Sequence, residues 1–222
     1  MAFNTRQAIV TGGATGIGKA VVKQLVDSGA TVFIGDIDTA KAEETAAEIE
    51  PTGQRCRAYP LDLGDMDSID AFITSLKPAS EKMDILVNCA GIAAPEEFFE
   101  LTPQQWDRIM DINLKGTFFL SQKISKGMSE ARYGRIVNLS SASAFTPSTR
   151  PMVSYDVSKA ALDKLTKVMP HNLAPYGVTV NSVAPGPVLT DQLLKFIDDP
   201  DTQEKALEGI TNGTLAQPQN MI

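Results

Sequence analysis

Histidine and cysteine, the side chains that bind most transition metals in proteins, are nearly absent from this chain of 222 residues. His171 is the one histidine, and no serine or aspartate partner accompanies it, so we expect a surface or interface residue rather than a base. The two cysteines, Cys56 and Cys89, lie in strand-like apolar runs without the spacing of metal ligands. The sequence therefore predicts no metal site and two buried free thiols, which suit a reducing cytoplasm.

Long hydrophobic runs and an excess of positive charge are also missing. No apolar stretch approaches the roughly 18 residues that a membrane-spanning helix needs. The chain has 20 Lys and Arg residues against 27 Asp and Glu residues, a net charge of −7, so it has no basic field to attract a phosphate backbone. We expect no nucleic-acid partner and no membrane partner. We also expect a cytoplasmic location.

Short apolar runs alternate with helical patterns along the whole chain. The runs are rich in valine and isoleucine and mostly do not alternate with polar residues, which is typical of strands covered on both faces. This order predicts an α/β fold with a doubly wound, Rossmann-type parallel sheet and helices on both faces. Because no linker or internal repeat interrupts it, residues 1–222 are predicted to form a single domain. The predicted strands are 7–11, 31–36, 55–60, 84–88, 135–139 and 178–183.

The stretch TGGATGIG, residues 11–18, joins the first predicted strand to the first helix. Glycines at such a junction let the backbone approach a pyrophosphate, which the free amides of the helix N-terminus can bind. An ordinary strand-to-helix turn can use the same glycines. Asp36 ends the second strand, 18 residues after Gly18, where a carboxylate can bind the adenosine ribose and repel a 2′-phosphate. Because neither residue 15 nor residue 37 is basic, the sequence favours NAD over NADP.

Tyr155 and Lys159 lie four residues apart on a predicted helix, so their side chains share one helix face. A neighbouring ammonium is expected to lower the pKa of a tyrosine, which makes the phenol a usable acid or base. Such a pair also occurs by accident on surface helices. It gains weight from its neighbours: Ser140 and Ser141 end a strand at the same sheet edge, and Asn113 lies within a long helix.

Together these motifs resemble those of the short-chain dehydrogenase/reductase family over nearly the whole chain. The family's glycine motif is matched from Thr11 to Gly18, and its Asn-Asn-Ala-Gly motif is matched at residues 88–91 with Cys89 as the one substitution. The resemblance implies a catalytic tetrad of Asn113, Ser141, Tyr155 and Lys159. It implies cofactor contacts from Gly12, Thr15, Gly16, Ile17, Gly18, Asp36, Ile37, Asp62, Leu63, Asn88, Ala90, Gly91, Tyr155, Lys159, Pro185, Gly186, Val188 and Thr190.

The resemblance also implies the reaction, a hydride transfer between a nicotinamide cofactor and a secondary alcohol or ketone. Tyr155 is expected to act as general acid/base and Ser141 to hold the substrate oxygen. Lys159 is expected to lower the pKa of Tyr155 and bind the nicotinamide ribose, while Asn113 supports a proton relay. Ser140 and Ser143 remain alternatives, because Ser141 precedes the tyrosine by one residue more than is usual in the family.

Two other functions stay open. One is a 3-oxoacyl-thioester reductase that uses NADPH, against which Asp36 argues, and the other is a non-catalytic cofactor-binding sensor or scaffold. A loop and helix region at about residues 187–212 is expected to shape the substrate pocket, and Glu96 and Glu97 are expected to be solvated. The resemblance further implies a homodimer or homotetramer. Family members also have a last helix and strand, which we expect this sequence to lack.

Overall fold

A single parallel sheet organises the protein in the computed structural model, which describes residues 3–76, 82–148, 150–190, 193 and 215–221. Six strands within these ranges pair in the order β3-β2-β1-β4-β5-β6, and every pairing is parallel. The Rossmann-type fold is thereby confirmed, and each predicted strand agrees with its observed bounds to within one residue. The strands are β1 Gln7–Thr11, β2 Thr31–Asp36, β3 Cys56–Pro60, β4 Ile85–Asn88, β5 Gly134–Leu139 and β6 Val178–Val183.

Helices connect the strands across both faces of the sheet. A π-helical turn, Asp111–Gly116, joins the fourth helix to the fifth. Thr102 starts the fourth helix through a capping box with Gln105, the reciprocal arrangement that satisfies free amides at a helix start. The α-helices of the described residues are α1 Gly16–Asp27, α2 Thr39–Ile49, α3 Met66–Ser75, α4 Pro103–Met110, α5 Thr117–Glu130 and α6 Val153–Leu173.

Two apolar layers bury the two faces of the sheet. Successive side chains of a strand point to opposite faces, so β1 sends Ile9 into one layer and Ala8 and Val10 into the other. All three side chains are fully buried. Strands covered on both faces need apolar residues at most positions, which explains why the sequence shows nearly continuous apolar runs.

The strand order reverses between β1 and its neighbour β4, and this reversal creates a crevice at the carboxyl edge of the sheet. Thr11 at the end of β1 lies level with Asn88 at the end of β4 and with Gly35 in β2. Ligands of open α/β sheets bind at such a switch point, outside the carboxyl ends of the strands. The segments that follow these strand ends carry most of the residues predicted for the site.

The end of the described chain returns to the glycine turn. Val188 pairs with Ala216 in an isolated parallel bridge, and the turn of 3-10 helix Pro218–Met221 packs against α1. Most of the predicted substrate region, 187–212, lies outside the described residues.

Within the described ranges, no helix is long and apolar enough to cross a membrane. The same ranges contain no cluster of three or more metal-ligating side chains.

Candidate active site

The glycine turn between β1 and α1 is shaped by close backbone packing. Gly12 has a positive φ of +65°, and a Cβ there would lie 2.8 Å from the Cα of Ala90. A Cβ at Gly18 would lie only 2.0 Å from the carbonyl oxygen of Gly12. Both contacts are with backbone atoms, which have little freedom to move aside. These two glycines are therefore required by the packing of the turn itself, with or without a ligand.

Hydrogen bonds with two side chains fix Ala14 in the middle of the turn, one at its N–H and one at its carbonyl. The Ala14 N–H donates to a carboxylate oxygen of Asp36 at 3.0 Å, and the buried Thr45 hydroxyl donates to the Ala14 carbonyl at 2.8 Å. The other Asp36 oxygen accepts from the Asp38 N–H at 3.1 Å. The carboxylate predicted to bind a ribose is thus fixed in orientation by two backbone amides, and it also fixes the turn.

The side of the crevice beyond β2 exposes an apolar residue next to this carboxylate. Ile37 is 71% exposed, although large aliphatic side chains are usually buried. Asp62 follows β3, and its carboxylate accepts from the Gly64 N–H at 2.8 Å, while Leu63 is buried. Thr15 precedes α1 and is exposed, and Ile17 is half-buried in its first turn.

Tyr155 and Lys159 lie one turn apart in α6, with the Lys159 Nζ 5.6 Å from the centroid of the tyrosine ring. The Ser141 side chain, two residues after the end of β5, hydrogen-bonds Tyr155. The structure thus favours Ser141 over Ser140, whose hydroxyl donates to the Lys159 carbonyl instead, at 3.3 Å. The Ser143 hydroxyl is buried, with no hydrogen-bond partner among the described residues.

The expected lowering of the tyrosine pKa does not hold in this structure. Burial raises the pKa of Tyr155, the hydrogen bond from Ser141 opposes that rise, and the charge of Asp156 adds to it. Burial also lowers the pKa of Lys159 to about 8. The Lys159 amine donates to the Leu139 carbonyl at 2.7 Å. Removal from water therefore dominates the pKa of both groups, which the i, i+4 spacing alone does not reveal.

Asn113 lies in the π-helical turn and links it to two other parts of the site. Its side chain accepts from the Ile92 N–H at 2.8 Å and donates to the Ile92 carbonyl and the Ser158 hydroxyl, at 2.9 and 3.1 Å. A Cβ at Gly91 would lie 3.2 Å from the Asn113 carbonyl oxygen and 3.4 Å from the Lys159 Nζ. Asn113, Gly91 and Lys159 therefore meet at one point.

The remaining predicted residues line the same edge. Asn88 is buried and donates to Ser121 and Asn138, at 3.0 and 2.8 Å, while its own amide oxygen has no hydrogen-bond partner among the described residues. The Ala90 N–H donates to the Thr11 hydroxyl at 3.1 Å.

The segment after β6 also approaches both halves of the site. The Pro185 carbonyl accepts from the Ala142 N–H at 2.8 Å, and the exposed Gly186 follows. Val188 is buried, and a Cβ at Gly16 would lie 3.2 Å from the Thr190 methyl group. The chain after β6 thus connects the glycine turn to the region around Ser141.

Several residues of the site were missed by sequence reasoning. Thr45 holds the glycine turn and Ser158 holds Asn113, but a threonine or serine within a helix carries no such signal. The expectation for Glu96 was wrong: it is 6% exposed, and its carboxylate accepts from the N–H and the hydroxyl of Ser154. Glu97 is exposed, as expected.

A glycine turn at the switch point of a doubly wound sheet, beside a Tyr-Lys pair and a serine, defines a dinucleotide-binding oxidoreductase fold. The family model described as short chain dehydrogenase matches residues 6–200. The chain belongs to the short-chain dehydrogenase/reductase family. It is an NAD(P)-dependent oxidoreductase that acts on CH–OH donors.

Similar proteins carry different substrate and cofactor names. The NAD-dependent glycerol dehydrogenase of Listeria innocua is 36% identical over 83% of this chain and 71% of its own length. The 3-oxoacyl-acyl-carrier-protein reductase of Vibrio harveyi is 35% identical over 96% of this chain and 85% of its own. A solved active-site complex of Pseudomonas aeruginosa RhlG with NADP has a TM-score of 0.92 at 27% identity, covering 99% of this chain and 87% of that one.

Proposed function

We propose that this protein transfers a hydride between NAD and a secondary alcohol or ketone, with Tyr155 as general acid/base. The observation that carries the proposal is the meeting of four groups at the switch point. Ser141 hydrogen-bonds Tyr155, the Lys159 amine lies 5.6 Å from the tyrosine ring, and Asn113 and Lys159 both lie against Gly91. The side chains come from three separate segments, so helix spacing alone does not account for their meeting.

The residues around the crevice fit a nicotinamide dinucleotide. The glycine turn at the start of α1 offers backbone amides to a pyrophosphate, and Asp36 offers an oriented carboxylate to the adenosine ribose. The exposed Ile37 offers an apolar surface to the adenine ring. Asp62, Leu63, Asn88, Ala90 and Gly91 would line the adenine side and the middle of the crevice. Pro185, Gly186, Val188 and Thr190 would face the nicotinamide. When bound, that cofactor supplies the hydride chemistry.

The charge next to the ribose supports NAD rather than NADP. The Asp36 carboxylate would repel a 2′-phosphate. Lys19, in the first turn of α1, is paired with Glu48 at 2.7 Å and is therefore not available to neutralise that phosphate. The relatives do not decide the point, since one is named as NAD-dependent and another is complexed with NADP.

Proton transfer would be the work of Tyr155, Ser141 and Lys159. Because burial raises the pKa of Tyr155, the phenol is protonated at neutral pH, as a proton donor to a ketone oxygen must be. In the oxidation direction the same oxygen would take the alcohol proton after it has lost its own proton. Ser141 would hold the substrate oxygen beside the phenol. Asn113 would support the exchange of protons between Lys159 and the solvent.

Replacement of Tyr155 by phenylalanine tests the catalytic proposal against the sensor or scaffold alternative. With a panel of alcohols, polyols and hydroxyacids read at the NADH absorbance, we expect Tyr155→Phe to lower kcat by at least about 100-fold, the lower range for a general acid–base group. NADH binding, followed by its fluorescence, should stay within about twofold of the wild type. Tyr176→Phe, at a 46% exposed tyrosine beyond α6, is the matched control. Unchanged turnover in Tyr155→Phe would refute the assignment.

A titration with NADH and NADPH tests the cofactor. We expect tighter NADH binding, and Asp36→Ala should reduce the discrimination between the two nucleotides. Because Asp36 also holds the Ala14 N–H, the same variant should bind NADH more weakly than the wild type. Tighter binding of NADPH to the wild type would contradict the NAD assignment and favour the thioester-reductase alternative.

A further inference from the structure

Glu96 is a buried acid in the segment between β4 and α4. Its carboxylate accepts from the Ser154 N–H at 2.9 Å and from the Ser154 hydroxyl, and its own N–H donates to the Pro151 carbonyl at 2.9 Å. Glu96 is thus bonded to the chain just before α6 and to the first turn of α6. A carboxylate is costly to bury without such partners, so its place at this junction needs an explanation.

The start of α6 lacks a cap from its own sequence. Met152 precedes the helix, and its side chain makes no capping hydrogen bond. The first amides of a helix need acceptors, and a carboxylate is the acceptor that the helix dipole favours at this end. Glu96 provides that acceptor from a distant part of the chain. The residue it holds, Ser154, directly precedes Tyr155.

A second carboxylate holds the same turn from the other side. Asp156, directly after Tyr155, accepts from the Ser148 N–H at 2.9 Å and from the Ser148 hydroxyl at 2.5 Å. The residues on either side of Tyr155 are therefore tied to two different segments, one after β4 and one after β5. Ser141, which hydrogen-bonds the tyrosine, belongs to the second of these segments. These hydrogen bonds fix the position of the first turn of α6 along the helix axis, and its rotation about that axis, relative to Ser141.

We propose that Glu96 is a positioning residue of the reaction, which holds the first turn of α6 so that the Tyr155 hydroxyl stays within hydrogen-bond reach of Ser141 and the substrate oxygen. The inference rests on the proposed function, because it assumes that Tyr155 is the general acid/base. Within the described residues, Glu96 makes no hydrogen bond to Tyr155 or to Ser141. Its effect on the reaction is transmitted through Ser154.

Three variants test the proposal in the full-length protein. Glu96→Ala removes both bonds to Ser154. Glu96→Gln keeps an acceptor for the Ser154 N–H, and its amide can donate to the Ser154 hydroxyl instead. Glu97→Gln removes a charge from the exposed neighbour and serves as the matched control. We expect Glu96→Ala to lower kcat roughly 10- to 100-fold, as for a misplacement on the order of 1 Å, with NADH affinity within about twofold. Glu96→Gln should regain most of the loss, and Glu97→Gln should match the wild type.

The pH profile of alcohol oxidation separates positioning from simple stabilisation. The hydrogen bond from Ser141 lowers the pKa of Tyr155, while burial and Asp156 raise it, and the Lys159 amine faces the ring. Weakening the Ser141 bond should therefore move the acidic limb of the kcat profile of Glu96→Ala to higher pH. Removing a residue that only stabilises the fold would lower the melting temperature. At temperatures well below that melting temperature, kcat and the acidic limb of its pH profile would be unchanged.

The outcomes distinguish this inference from the proposed function. If Tyr155→Phe is inactive while Glu96→Ala keeps the wild-type kcat and pH profile, the positioning role is refuted and the function stands. If Tyr155→Phe stays active, the proposed role of Tyr155 is refuted, and the positioning role of Glu96, which depends on it, is refuted as well. Should Glu96→Ala not fold, Ser154→Ala, which removes only the hydroxyl bond, replaces it. We expect a smaller loss of kcat and the same direction of pH change, and wild-type kcat and pH profile of Ser154→Ala would refute the proposal.

Discussion

The buried amine of Lys159 should destabilise the folded protein at neutral pH, and Lys159→Met should expose that effect. The side chain is 4% exposed, and no carboxylate of the described residues lies within ion-pair distance of its Nζ. Among the described residues, the hydrogen-bond partner of this amine is the Leu139 carbonyl at 2.7 Å. Burial lowers the pKa of Lys159 from an ordinary 10.5 to about 8. A charge without an ionic partner is thus held away from water in the middle of the site.

The size and sign of the effect follow from that pKa. The difference between 10.5 and about 8 corresponds to about 3 kcal/mol of unfolding free energy. Below pH 8 the amine is charged in both the folded and the unfolded state, so the folded state bears the full penalty. Between the two pKa values the unfolded chain binds more protons, so stability rises with pH. Lys159→Met removes this penalty and so gains stability, but it also loses the hydrogen bond to Leu139. That loss offsets about 1–3 kcal/mol of the gain at neutral pH.

Urea unfolding, followed by the fluorescence of the single tryptophan Trp106 and by circular dichroism, measures the effect. We expect the stability of the wild type relative to Lys159→Met to increase by about 2–3 kcal/mol between about pH 7 and about pH 10. Lys164→Met, at an exposed lysine of the same helix, should show no comparable change. A stability difference between the wild type and Lys159→Met that does not depend on pH would refute this reasoning.

Two further predictions concern the glycine turn and the residue after β4. Gly18→Ala should weaken NADH binding by at least about tenfold and lower the melting temperature, because its Cβ would lie 2.0 Å from a backbone oxygen. Wild-type NADH affinity of this variant would contradict the packing argument. Burial raises the pKa of the Cys89 thiol to about 12, so alkylation at pH 8, followed by mass spectrometry, should be at least about 100-fold slower in the folded protein than in urea. Rapid labelling of folded Cys89 would show that the thiol is not protected.

The strands and the edge they share could be predicted from the sequence because both depend on local patterns. A strand covered on both faces is apolar at most positions, so runs such as QAIVT and ILVN mark β1 and β4 to within a residue. Parallel strands end at the same edge, so the residues directly after them were expected to meet. Asp36 at the end of β2 and Ser141 shortly after β5 both lie at this edge, whereas the choice of Ser141 among the neighbouring serines came from the family resemblance.

The supports of the site could not be predicted because they join residues that are far apart in the chain. A glutamate between a proline and a second glutamate, in a segment that joins a strand to a helix, has the pattern of a solvated loop, and only the packing of that segment against α6 buries Glu96. The pKa of Tyr155 was misjudged for a related reason. Spacing along a helix gives the position of Lys159, whereas the loss of water around both groups depends on the folded chain.

The glycine turn shows how structural and chemical requirements coincide at one place. Gly12 and Gly18 are fixed by backbone packing, and Ala14 is held by Asp36 on one side and by Thr45 on the other. A turn that is already ordered loses little conformational entropy when a ligand binds to it, so more of the interaction energy remains for affinity. Because Asp36 orients the turn and, in the proposed function, also repels a 2′-phosphate, a substitution there should change affinity and specificity together. Changes of cofactor preference in this protein therefore require a substitute at position 36 that still accepts the Ala14 N–H.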